Sequence, residues 1–161
     1  MLSPKLDWCD LAELAHQLIN QLPPAEQKRI HLHHPENLPL FKLDAGFLEQ
    51  ILHNLLLNAL QYDQQKKAIH LTLEHQANHC AIKIKDQGPG FPSEHIPHIF
   101  DKFYRLPHSP EGGTGLGLSI VKGFVEALNG NVILRSNLGE GSEFSIELPT
   151  EVSYLNQLDH E

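Results

Sequence analysis

Three groups of residues have types and spacings suited to chemistry. Asn54 and Asn58 stand four apart and are followed by Gln61, a spacing that puts all three on one polar face of a helix. Short amides are poor helix formers because they compete for backbone hydrogen bonds, and a merely wet face would more usually carry Glu, Lys and Gln. An amide oxygen is also a good hard ligand for Mg2+, which keeps most of its waters and takes few protein ligands. The second group is Asp86-Gln87-Gly88-Pro89-Gly90, at the end of an alternating apolar run. A turn after a strand accounts for Asp and Gly there; an acceptor followed by glycines also suits a base edge. The third is residues 112–119, GGTGLGLS, with four glycines in six residues. Glycine loses more conformational entropy on folding than any other residue. A mobile loop, a tight turn or a phosphate cradle at a helix start would each explain the cluster.

Elements must hold these groups. Residues 44–62 place Leu48, Ile51, Leu52, Leu55, Leu56 and Ala59 on one arc, an amphipathic helix that Asp44 can cap. Residues 6–22 predict another helix, stopped by Pro23-Pro24. Residues 28–33 and 39–43 read as short strands. Residues 68–74 and 80–85 alternate cleanly about Gln76-Ala77-Asn78 and predict an antiparallel hairpin. A short helix fits at 93–99, and a longer one at 116–128 ends at Asn129-Gly130, a glycine stop. Residues 132–136 and 142–148 complete the strands, and the tail after Pro149 is expected to fray. The sum is an α+β sandwich, a mixed but mainly antiparallel sheet with helices on one face.

Composition narrows the function. The 161 residues suffice for one domain. A net charge of -8 argues against a nucleic-acid surface, which needs clustered Lys and Arg. Cys9 and Cys80 form no CxxC pair and suit a reducing compartment. The twelve histidines show no HExxH or Cys/His ligand spacing. No apolar run of membrane-spanning length occurs in these residues, and the first ten, MLSPKLDWCD, lack the basic start and apolar core expected of a signal peptide. A P-loop requires Lys-Ser or Lys-Thr after glycine, and a Rossmann fingerprint requires GxGxxG after a first strand; neither appears.

The order Asn54…Asn58-Ala59, Asp86-x-Gly88-x-Gly90, Phe100-Asp-Lys-Phe103-Tyr-Arg, Gly113-Thr-Gly115-Leu-Gly117-Leu and Gly139-Glu-Gly141-Ser142-x-Phe144 resembles the catalytic ATP-binding domain of bacterial sensor histidine kinases. These kinases belong with the gyrase, Hsp90 and MutL ATPases, whose fold is of the Bergerat type. The likeness covers residues 6–149, between a short leader (1–5) and a tail (150–161). It implies that Asn58 coordinates Mg2+, with Asn54 supporting it. Tyr62 would lie against adenine and Asp86 would accept its amino hydrogen bond. Gly88 and Gly90 would let the loop pass the nucleotide, and Ser142 matches a small hydroxyl near the base. Phe100 and Phe103 would anchor an ATP lid over 104–114. Lys102 and Arg105 would reach phosphate from it. The run Gly113, Thr114, Gly115, Leu116, Gly117 and Leu118 would turn backbone N–H groups toward the phosphates. FDKFYR resembles potassium-sensing kinases in particular.

The resemblance further implies a γ-phosphoryl transfer from Mg·ATP to histidine. Hydrolysing relatives carry a glutamate where Asn54 stands, and an amide cannot take a proton. Gln61 departs from the pattern, since a lysine is usual there. None of the histidines has the acceptor context of His, acidic residue, then Arg/Lys/Asn-Thr-Pro. The acceptor is therefore expected on an upstream dimerisation domain of a longer, homodimeric, membrane-bound sensor. This chain would be its cytoplasmic part, working with a cognate response regulator. A degenerate kinase that only binds nucleotide, or a superfamily ATPase, is the alternative.

Overall fold

The computed structural model describes residues 2–63, 65–104 and 116–154. The chain begins not with a helix but with strand β1 (Asp7–Cys9), and helix α1 (Leu11–Asn20) starts only after it. Asp10 caps α1 by accepting the Glu13 N–H at 3.1 Å, which fixes the start at Leu11 rather than at residue 6, where periodicity suggested it. Pro23-Pro24 ends α1 as expected, yet Pro24 also opens the short helix α2 (Pro24–Gln27), its fixed φ suiting a first turn. Strands β2 (Ile30–His33) and β3 (Leu40–Leu43) follow, then helix α3 (Ala45–Tyr62), capped by Asp44 through the Phe47 N–H.

The predicted hairpin forms as β4 (Ile69–Gln76) and β5 (His79–Asp86). The proline-rich stretch contributes one 3-10 turn (Ile96–His98), inside the span expected to be helical. Helix α4 (Gly117–Ala127) leads to β6 (Asn131–Asn137) and β7 (Gly141–Pro149). At the end of α4 it is Asn129 that takes the left-handed conformation, φ +62. Gly130 serves packing instead, since a Cβ there would stand 2.4 Å from the Glu147 carbonyl oxygen.

The main sheet runs β2-β4-β5-β7-β6, parallel only at β2–β4 and antiparallel elsewhere. Period-two alternation buries Ile69, Leu71, Leu73, Ile82, Ile84, Phe144, Ile146 and Leu148 on one face. The apolar sides of the helices cover that face with Leu11, Leu52, Leu55, Leu56, Val121 and Val125, and the two layers form one core. Burying one such side chain is worth about 1.5–3 kcal/mol, so the α3 stripe alone holds that helix on the sheet.

A second, three-stranded sheet joins β1, β3 and β8 (Val152–Ser153). The tail therefore does not fray directly after Pro149. Val152 pairs with Phe41, and the Lys42 N–H donates to the Glu151 carbonyl at 3.0 Å. Among the described residues no helix is long and apolar enough to cross a membrane.

Candidate nucleotide-binding site

Helix α3 is the beam along which the site is built. Asn54, Asn58 and Tyr62 are half-buried and share one side, whereas Gln61 is exposed. Eight residues of helix span about 12 Å, so the stripe joins two chemically different ends.

At the first end, Asn54 Nδ2 donates to the Gln50 carbonyl at 2.7 Å, which fixes the amide plane. A Cβ on Gly117 would lie 3.3 Å from Asn54 Oδ1, so the amide stands over the first turn of α4. Leu116 occupies the cap position of α4 with an apolar side chain, which makes no cap hydrogen bond of its own. A helix start of this kind favours negative charge. Leu118 is buried in the core, so only its backbone can face a ligand.

At the second end Asp86 closes β5, only 4 % exposed. Its Oδ1 accepts the Gly88 N–H at 2.9 Å. Burial pushes its carboxyl above the usual carboxylate range; the Gly88 N–H opposes this, the Asp63 charge adds to it, and the Ser142 N–H opposes it. A desolvated carboxylate with lone pairs to spare is a strong acceptor for an exocyclic amine. Ser142 faces Asp86 across the β5–β7 register, and its hydroxyl meets that of Ser136 at 3.1 Å. Ser136 Oγ also accepts the Phe91 N–H at 2.6 Å and donates to the Gly141 carbonyl at 2.9 Å. Tyr62 leans on Phe91 (5.4 Å between centroids), Phe91 on Phe144, and Phe100 on Phe144, an aromatic floor continuous with the core.

The glycines divide by cause. Gly90 (φ +76) and Gly141 (φ +85) are required by the fold: a Cβ would stand 2.3 Å from the Asn137 carbonyl oxygen and 2.2 Å from that of Asp86. Gly88 has only tight contacts, 3.1 Å to Asp86 Oδ1 and 3.2 Å to the Tyr62 carbonyl oxygen.

Phe103 was expected to anchor a lid beside Phe100. Instead its positive φ of 63° turns it outward and leaves it 69 % exposed, while Phe100 alone packs inward. Tyr104 does the anchoring at this point, half-buried and hydrogen-bonded to His95. Lys102 is exposed on the same loop. Arg105, Gly113, Thr114 and Gly115 lie outside the described residues.

Sequence reasoning missed Ser136 and Asp63. Ser136 ties the Phe91 loop to β7, and only the β6–β7 register could have revealed it. Asp63 is 1 % exposed at the end of α3, where it accepts the Gln65 and Lys67 N–H groups and lies 3.8 Å from Arg29 Nη2. Arg29 in turn donates to the carbonyls of Leu60, Asp63 and Lys67, closing the helix end.

The donor set fits magnesium better than a softer ion. Asn58 offers a hard amide oxygen on a half-buried face, and among the described residues no three His, Cys, Asp or Glu side chains converge into a metal cage. An ion held mainly by phosphate oxygens and water needs no more.

A family profile described as histidine kinase-, DNA gyrase B-, and HSP90-like ATPase matches residues 43–152, more than half the chain. The chain belongs to this family. The span starts at Leu43, just before the Asp44 cap, and ends in β8, so this ATPase domain contains both ends of the α3 stripe. Among curated relatives, the alginate biosynthesis sensor protein KinB of Pseudomonas aeruginosa is 33 % identical over 144 residues, which cover 88 % of this chain and 24 % of KinB. The sensor protein kinase WalK of Staphylococcus epidermidis is 36 % identical over 123 residues, covering 73 % of this chain and 20 % of WalK. The chain thus spans about a quarter or less of these relatives. Among solved structures, full-length ShkA in complex with AMPPNP aligns with a TM-score of 0.76 at 28 % identity, over 95 % of this chain and 33 % of ShkA. The nucleotide-free catalytic domain of the histidine kinase ThkA aligns with a TM-score of 0.77 at 25 % identity, over 90 % of this chain and 95 % of that domain. The α+β architecture is the one these kinase domains share.

Proposed function

We propose that this ATPase-family domain binds Mg·ATP and donates its γ-phosphoryl group to a histidine on a separate dimerisation domain of a sensor kinase. The observation that carries this reading is the α3 stripe, with Asn54 over a helix start at one end and Tyr62 beside a buried, acceptor-rich Asp86 at the other. Adenine would lie at the Asp86 end, its amino group donating to the carboxylate, with Tyr62 offering ring area. The phosphates would run along α3 toward Gly117. Asn58 would hold Mg2+ midway, an ion that neutralises phosphate charge. Lys102 just before the lid, and Arg105 within it, would add positive charge.

Asn54 decides between transfer and hydrolysis. Its amide is committed to the Gln50 carbonyl and cannot accept a proton. Water would stay unactivated, whereas a neutral imidazole nitrogen needs no base to attack. The nitrogen–phosphorus bond would form as the β–γ bridging bond breaks, with ADP leaving. The likeness to the sensor protein kinase WalK and to the histidine kinase ThkA supports a histidine acceptor; a response regulator, a cytoplasmic placement and a membrane-bound parent belong to the same reading.

The exposed neutral Gln61 favours a second reading, a domain that binds nucleotide without transferring phosphate. The test mixes the chain with Mg·ATP labelled at the γ position and a matching phosphoacceptor hairpin. Acid-labile, base-stable label on the hairpin supports transfer; saturable ATP binding with an unlabelled hairpin supports the second reading.

A further inference from the structure

Period-two alternation gives the main sheet a second face, turned away from the core, and at its β2 edge three imidazoles are neighbours. His31 and His33 are exposed on β2, and His70 projects from the neighbouring β4 on the same side. The parallel register sets His31 opposite His70 and His33 opposite Thr72. His33 Nε2 and His70 Nδ1 are 2.9 Å apart. Their ring centroids are 5.1 Å apart with planes inclined by 17°, so the rings meet edge to edge, nitrogen to nitrogen. His31 is the second neighbour of His70, with 5.2 Å between centroids and planes inclined by 28°.

We propose that His33 and His70, with His31 as a third donor, form a chelating site for a divalent transition-metal ion such as Zn2+ or Ni2+. Two nitrogens each about 2.0–2.1 Å from one ion stand about 2.9–3.4 Å apart as the ligand angle opens from right-angled to tetrahedral. The observed separation falls at the start of that range. The ion takes the place of the proton that the two nitrogens now share, after both rings rotate slightly outward. Among the described residues no three such side chains already converge, so the pair is the primary chelate and His31 joins by rotating about its side-chain bonds. A soft, imidazole-preferring ion is implied, not the Mg2+ of the nucleotide site. Burial first, then His31, His33 and Lys85, hold His70 below the ordinary imidazole value. The charged group facing it from the adjoining strand is Lys85, opposite His70 across β4–β5, while β2 contributes only the two histidines. Because β2 is an edge strand joined to the sheet by β4 alone, a bound ion would also clamp that edge. The ligands lie 37 residues apart in sequence, so no local spacing could disclose the site.

The test titrates the tag-free chain with ZnCl2, with MgCl2 as control, by calorimetry and thermal melting. The expected result is one zinc per chain, a raised melting midpoint, and affinity weaker by about tenfold or more in both His33→Gln and His70→Gln. His79→Gln, at the far end of β5, should bind zinc as the unmodified chain does. Histidine nitrogen resonances of the unmodified chain supply a readout independent of any variant, and those of His33 and His70 should shift. No zinc binding at about 0.1 mM, unchanged affinity in either of the two variants, or shifts confined to other histidines would each overturn the proposal.

Discussion

The carboxylate of Asp86 and the backbone N–H of Gly88 are joined by a 2.9 Å hydrogen bond, and a Cβ on Gly88 would press to 3.1 Å on the same oxygen. The glycine therefore shapes the acceptor that the base would meet. Gly88→Ala should keep the fold, at a cost of about 1 kcal/mol, because both contacts can yield by a few tenths of an ångström. Its affinity for ATP should fall. By contrast Gly90→Ala and Gly141→Ala should each cost about 3 kcal/mol or more, since positive φ and a backbone collision act together. Urea titration of the three variants separates the two classes.

Asp86 trades stability for recognition. Its folded-state pKa is raised, so the folded protein binds the proton more readily than the unfolded chain. Stability then falls as pH rises from the ordinary value of 3.8 through the raised one, and the deficit persists at neutral pH. Asp86→Asn removes the titration while retaining an acceptor for the Gly88 N–H. At pH 7 it should melt at or above the unmodified chain, with a flatter pH dependence above the ordinary carboxylate value, yet bind ATP poorly. A lower melting point at pH 7 would contradict this placement of Asp86.

Arg29 and Asp63 test the end of the α3 beam. Removing the guanidinium leaves Asp63 buried with its charge unbalanced and takes one donor from each of three carbonyls, of which that of Asp63 keeps the Lys66 N–H. Arg29→Ala should cost about 3–5 kcal/mol. Arg29→Ala with Asp63→Asn should cost less than the sum of the single changes, a coupling that a double-mutant cycle reads directly.

Most of this was legible in the sequence for identifiable reasons. Helix α3 carried a six-residue apolar arc and an Asp44 cap, and β4 and β5 alternated across a short turn, so both elements emerged where periodicity put them. The three-stranded sheet did not, because β1, β3 and β8 are short and pair with strands distant in sequence, β8 with β3 across most of the chain. The candidate site was readable as residue types, Asn54, Asn58 and Asp86. Its supports, Ser136 and Asp63, depend on register and helix-end geometry that no local pattern encodes. Phe103 shows the opposite failure, an aromatic whose type suggested anchoring but whose backbone turns it to solvent.

Cys80 and Cys9 report on the core without touching the site. Burial pushes the Cys80 thiol up to about 12 and also raises that of Cys9. At pH 8 neither should react with iodoacetamide in the folded protein, and both should react in denaturant, as mass spectrometry would show. Rapid labelling of Cys80 under native conditions would contradict the packing of β5 against the helices.

The most direct test is calorimetric titration of Mg·ATP into the unmodified chain, Asn58→Ala and Asp86→Asn, with Mg·GTP as the competing base. The account predicts saturable ATP binding that is weakened at least about tenfold in both variants, with GTP bound poorly by the unmodified chain. Equal affinity across the three proteins, or no preference for ATP over GTP, would contradict it.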